Sequence, residues 1–108
     1  MKDVIFLRSS KGDLQAFPDT ARREAGFQLF RVQEGKHPAD AKPMKTVGQG
    51  VFEIRIHEEG QTHRVFYVAR FEEAAYVLHA FEKKGRKTAK KDLEIGQRRY
   101  RELLRQRG

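Results

Sequence analysis

The sequence predicts an α+β fold, in which an N-terminal strand and a helical hairpin pack on a small antiparallel sheet and a basic helix closes the chain. Three observations predict it. Three β-prone segments, Val51 to His57, His63 to Ala69 and Ala75 to Phe81, follow one another at hairpin spacing. Before them, apolar residues recur at helical intervals between Ser10 and Gly35. After them, the chain becomes an amphipathic stretch rich in Lys and Arg.

The elements follow in order. Val4 to Leu7 is a short β-prone run, and Ser10 with Asp13 three residues on resembles a weak capping box for a first helix over about 10 to 17. Pro18 suits the opening of a second helix, in which Ala21, Ala25, Leu29 and Val32 share one face before Gly35 ends it. The connection from Lys36 to Gly50 is rich in Pro, Gly and Lys and reads as irregular. Gly48-Gln49-Gly50 within it reads as a turn, because it lacks the following Lys-Ser/Thr and helix of a phosphate loop. In the first strand of the meander, Phe52, Ile54 and Ile56 alternate with Glu53, Arg55 and His57. The helical hairpin is expected to cover the apolar face and leave the charged face open. Turns are expected at Glu58 to Gln61 and at Arg70 to Ala74. A final helix from about Asp92 to Gln106 places Leu93, Gly96, Tyr100 and Leu103 on one stripe, with Leu104 at its edge.

A chain of 108 residues is long enough to bury a core as one domain, 1–108. Cysteine is absent, which excludes disulfides, thiolate catalysis and cysteine-ligated zinc. The apolar run near the N-terminus is too short for a signal peptide or a membrane span, so a cytoplasmic protein without membrane contact is expected. The net charge is +8, and its distribution is informative. Residues 1–82 balance at twelve Lys and Arg against twelve Asp and Glu, whereas residues 83–108 carry eleven against three. Charge focused in this way suits a polyanionic partner better than a diffuse solubility role.

Val51-Phe52-Glu53-Ile54-Arg55, then His63-Arg64-Val65-Phe66-Tyr67, then Val77-Leu78-His79-Ala80-Phe81-Glu82-Lys83-Lys84 with a trailing Lys87-Thr88, resemble the phage-related branch of the RelE/HigB-like toxins of type II toxin–antitoxin pairs. The likeness extends from Asp13-Leu14-Gln15-Ala16-Phe17-Pro18 and Arg22-Arg23-Glu24, through Gly35-Lys36-His37-Pro38 and Lys42-Pro43, into the C-terminal helix. The resemblance implies a metal-independent mRNA interferase, an endoribonuclease acting on ribosome-bound mRNA with rRNA contacts and needing no cofactor. It also implies neutralisation by a cognate antitoxin, usually a helix-turn-helix protein. By motif, Arg55, Arg64 and Lys83 or Lys84 would hold the scissile phosphate. Some relatives carry a second Lys or Arg where this chain has Glu53, and some carry a Tyr where it runs Lys87-Thr88-Ala89.

Metal-free RNA cleavage needs the 2′-hydroxyl deprotonated, the pentacoordinate phosphorus stabilised and the leaving 5′-oxygen protonated. Guanidinium forks at Arg55 and Arg64 would serve the second need, provided the two lie across the hairpin from each other. Lys83 or Lys84 would serve the third. Glu53 is the best carboxylate for a base, although it would equally serve to neutralise Arg55. His79, grouped by alternation with Val77 and Phe81, is either an acid or base or a buried structural histidine. His37, His57 and His63 are scattered without partners at ligand spacing, so no metal site is expected. Lys87, Arg98, Arg99, Arg101 and Arg105 are expected to track the RNA backbone. Two other classes keep the fold and change the function: a ParE-like DNA gyrase poison without nuclease activity, and a non-catalytic RNA-binding module.

Overall fold

A computed structural model describes all residues, Met1–Gly108. The element order is β1 (Asp3–Phe6), α1 (Ser10–Gln15), α2 (Asp19–Gln33), β2 (Ala41–Pro43), β3 (Val51–Glu58), β4 (Gln61–Val68), β5 (Ala74–Glu82) and α3 (Lys90–Arg107). The fold is α+β, as the sequence predicts. Five strands form one sheet in the order β1-β5-β4-β3-β2. β1 pairs with β5 in parallel and every other pair is antiparallel. The β3–β4 turn uses Glu59 and Gly60, both with positive φ (52° and 77°), the geometry that matches the twist of a tight hairpin.

The helical hairpin covers one face as expected. Leu14, Phe17, Ala21, Ala25, Leu29 and Val32 pack on Ile54, Ile56, Val65, Tyr67 and Val77. Ala21 and Ala25 have no solvent exposure, and their small side chains let α2 lie close to the sheet. Each fully buried Leu, Ile or Val here contributes about 1.5–3 kcal/mol.

The other face is not open, contrary to the expectation. Only β3 alternates apolar with ionisable residues; β4 and β5 are apolar on both sides, so half of the second face also needs cover. Val51, Phe66, Val68, Tyr76 and Leu78 are covered by Met44 and Val47 from the connection and by Tyr100 and Leu103 from α3. Two glycines permit the approach. A Cβ on Gly96 would lie 2.9 Å from the Phe66 ring, and one on Gly48 would run into the Tyr100 ring. Tyr100 is fixed there by its hydroxyl, which donates to the Gln49 carbonyl (2.6 Å) and accepts from Arg70 (3.1 Å).

Two local features depart from the expected pattern. β2 is a three-residue strand inside the connection that reads as irregular, and it sets Lys42 opposite Glu53. A bulge in β5 pairs Phe66 with His79 but Tyr67 with Val77, so Leu78 is the extra residue. His79 therefore keeps company with Phe81 as expected, but not with Val77, which stays on the α2 side. No helix is long and apolar enough to cross a membrane.

Candidate active site

Arg55 and Arg64 are direct cross-strand partners on β3 and β4, so their side chains leave the sheet on one face. Glu53, two residues before Arg55, shares that face and has no exposure. Arg64 is also buried, with 5% of its surface exposed. The Glu53 carboxylate is ringed by donors. Its Oε1 lies 3.5 Å from Arg64 Nε and 3.9 Å from Lys42 Nζ, and its Oε2 accepts from the Thr88 hydroxyl at 3.4 Å. Thr88 reaches it from the segment between β5 and α3, which folds over this end of the sheet.

The Arg64–Glu53 contact is an ion pair without a hydrogen bond. Arg64 Nε and Nη1 are both buried with no hydrogen-bond partner, and so is Glu53 Oε1. Buried donors of this kind cost about 1–3 kcal/mol each, more for charged groups, and in native folds they call for an explanation. Burial also lowers the Arg64 pKa, with Glu53 opposing and Arg55 adding to the effect. The guanidinium nevertheless stays charged.

Arg55 has a different counter-ion from the one expected. Glu53 does not neutralise it; Asp40 does, accepting from Arg55 Nε at 2.8 Å and pairing with Nη2 at 2.7 Å. The backbone reinforces the contact, because the Arg55 N–H donates to the Asp40 carbonyl at 2.8 Å. Asp40 sits in the connection, 15 residues before Arg55, so no strand periodicity signals it.

Lys83 follows β5 directly and extends its ladder, its N–H donating to the Thr62 carbonyl at 2.8 Å. The side chain is half-buried. Burial lowers its pKa first, followed by repulsion from Arg64, Lys42 and Arg55, with Glu53 in partial opposition. Lys84 is exposed and has no ion-pair partner. The structure thus brings Arg55, Arg64, Lys83 and Glu53 together, adds Lys42, Asp40 and Thr88, and leaves Lys84 outside.

His79 lies elsewhere. Its Nε2 is 2.8 Å from Asp92 Oδ1 at the start of α3, and its ring stacks on Phe81 at 4.7 Å. Burial lowers its pKa against the pull of Asp92. Phe81, directly across from Arg64, separates the His79 pair from the cationic cluster. No group of three or more His, Asp and Glu side chains converges as metal ligands would.

Among the residues expected to follow an RNA backbone, Lys87, Arg98, Arg101 and Arg105 are exposed. Arg99 is not free in the same way. Its Nη1 donates to the Leu78 carbonyl at 2.9 Å, its Nη2 to Ser9 at 3.2 Å, and its Nε is buried. It clamps α3 to the bulge of β5, a structural task that periodicity does not signal, because periodicity cannot tell an inward arginine from an outward one.

The family model described as Phage derived protein Gp49-like (DUF891) matches residues 12–101, which include every residue of this cluster. No curated protein matches the chain.

Proposed function

The chain belongs to the Gp49-like phage-derived family, one associated with RelE-like toxins, and on that premise we propose that it is the toxin of a toxin–antitoxin pair, acting as a metal-independent mRNA endoribonuclease. The observation that carries the reading is the convergence of four cations, Arg64, Arg55, Lys42 and Lys83, around two carboxylates, with the Arg64 guanidinium directly across the hairpin from Arg55. A phosphate is the ligand such a fork fits, since it accepts two parallel hydrogen bonds and neutralises crowded cations.

In this reading the scissile phosphate sits over Arg64 and Arg55 and displaces Asp40 from Arg55. The 2′-hydroxyl gives its proton to a solvent water as its oxygen attacks phosphorus, the P–O5′ bond breaks, and a 2′,3′-cyclic phosphate and a 5′-hydroxyl result. Arg64 and Arg55 stabilise the charge that builds on the phosphoryl oxygens. Lys83, made more acidic by burial and its cationic neighbours, gives its proton to the leaving oxygen. Glu53 is a positioning residue: fully buried, it orients Arg64 and does not reach the substrate. The substrate is mRNA on the ribosome, the neutralising partner is an antitoxin of the helix-turn-helix kind, and the compartment is the cytoplasm, as the RelE/HigB-like resemblance implies.

The test is single-turnover cleavage of ribosome-bound mRNA, with thermal melts as the folding control. Arg64→Lys keeps a charge beside Glu53 and loses the fork, so it should remain folded while cleaving about 10²-fold or more slowly, the scale of a lost transition-state donor. A folded Arg64→Lys with parental activity would remove this cluster from the chemistry. Growth arrest with intact mRNA and trapped gyrase–DNA breaks would favour the ParE-like reading.

A further inference from the structure

On the opposite face of the sheet, the C-terminal end of α2 and the ends of β3 and β4 enclose a cavity of about 320 Å3. Its volume falls within the range of small-molecule sites, about 300–1,000 Å3. Three aromatic rings form a continuous tier along one side. Tyr67 and Phe52 lie nearly parallel with centroids 6.0 Å apart, and His37 continues from Phe52 at 6.3 Å. Three cationic side chains, Lys2, Lys36 and Arg70, also line the cavity, and no carboxylate does. Tyr67 retains only 3% exposure, yet its hydroxyl makes no hydrogen bond within the protein. Burial holds that hydroxyl neutral, with its pKa raised to about 12, so it is present as both donor and acceptor.

Each feature has an internal explanation only in part. Phe52 and Tyr67 pack against the α2 core, but a core does not need His37, which is exposed. Lys2 donates to the Ala69 carbonyl and keeps its remaining donors. Arg70 donates one nitrogen to Tyr100 and lies 4.4 Å over the Phe71 ring. Lys36 is 3.5 Å from Glu34, an exposed pair of small net worth. Aromatic faces attract a planar π-system, cations attract a phosphate, and the free hydroxyl suits a polar edge.

We propose that this cavity is a binding site for a mononucleotide, with its base against the His37–Phe52–Tyr67 tier and its phosphate on Lys36, Arg70 and Lys2. The site does not depend on the endoribonuclease reading, because it lies across the sheet from Arg64 and Lys83.

Isothermal titration of the full chain with AMP, adenosine and inorganic phosphate tests it. AMP should bind one per chain, at least tenfold more tightly than either fragment, because only AMP engages rings and cations together. Tyr67→Phe removes no internal hydrogen bond and should leave the melting temperature unchanged while weakening AMP about 2- to 10-fold. Lys36→Glu, at an exposed position, should weaken AMP about tenfold or more. Lys83→Ala should leave AMP binding as it was. Non-saturable binding, equal affinity for AMP and phosphate, or folded Tyr67→Phe and Lys36→Glu variants that bind normally would overturn the proposal. So would loss of AMP binding in Lys83→Ala, which would move the nucleotide to the other face.

Discussion

Arg64 and Glu53 meet at 3.5 Å inside the protein, close enough for attraction but without a hydrogen bond between them. Removing one member of such a buried pair strands the other charge, at a cost of about 3–5 kcal/mol. Arg64→Ala would therefore act on stability as well as on chemistry, which is why the charge-conserving Lys is the cleaner probe of the fork. Lys83 permits a probe through pH. Burial and the nearby Arg64, Lys42 and Arg55 lower its pKa below the ordinary 10.5. A proton donor is active while protonated, so cleavage should be steady at low pH and decline as pH rises through the Lys83 pKa, at an earlier point than a free lysine would give. Lys83→Arg, which cannot deprotonate in this range, should lose that alkaline limb along with about 10²–10⁴-fold in rate. Single-turnover rates from about pH 7 to the ordinary lysine pKa check this; a limb that stays in place in folded Lys83→Arg assigns the proton to another group.

At the scale of elements, the glycine of α3 differs from those of the N-terminal helices. Gly96 faces Phe66 and Val47 with no room for a methyl group, whereas Gly12 in α1 and Gly26 in α2 have nothing within 4 Å of the place a Cβ would occupy. Alanine is favoured over glycine in a helix by up to about 1 kcal/mol. That gain is unopposed at Gly26, so Gly26→Ala should stabilise by about 0.4–1 kcal/mol. At Gly96 the clash, worth about 1–3 kcal/mol, exceeds the gain, and Gly96→Ala should destabilise. Urea titrations of the two variants check the opposite signs; stabilisation by both would mean that α3 does not pack this closely on the sheet, and destabilisation by both that Gly26 is not free to take a methyl group. The stripe of Leu93, Gly96, Tyr100 and Leu103 is legible in the sequence, and so are the helical hairpin, the meander and the β3–β4 turn, because each repeats a local period. What is not legible depends on contacts between distant segments. The parallel pairing of β1 with β5, the three-residue β2, and Asp40 on Arg55 leave no periodic trace. The β5 bulge cannot be read from alternation because it interrupts alternation, and it puts Val77 on the α2 side while His79 stays in register with Phe81. Arg55 and Arg64 stand opposite each other as the sequence suggests, since hairpin length fixes register. The depth of Arg64 has no local signal, because that end of the sheet is covered by the distant segment between β5 and α3.

For the molecule as a whole, the decisive quantity is where the charge lies. The net +8 is carried entirely by residues 83–108, and α3 divides that segment between two tasks. Tyr100, Leu103 and the inward Arg99 fasten the helix to the sheet. Ion pairs tie it further: Arg107 to Glu73 at 2.7 Å, and Arg8 to Glu102 at 2.7 Å. Arg98, Arg101 and Arg105 remain exposed, and their spacing of three and then four residues sets them along one side of the helix. If this row follows a single-stranded RNA backbone, each phosphate it neutralises should add about −0.7 to the slope of log affinity against log salt. Changing all three to Gln should then flatten the slope by about 2 and weaken binding most at low salt, with melting temperatures unchanged because no folding contact is lost. Arg99→Gln makes the contrast, since it should lower the melting temperature by breaking the clamp to Leu78. Filter-binding of RNA across a salt series, alongside melts of both variants, reads the two effects separately. A slope unmoved by the triple change would mean that RNA meets the sheet and the segment around Lys87 alone, leaving the row on α3 as a solvated face or a contact for the antitoxin.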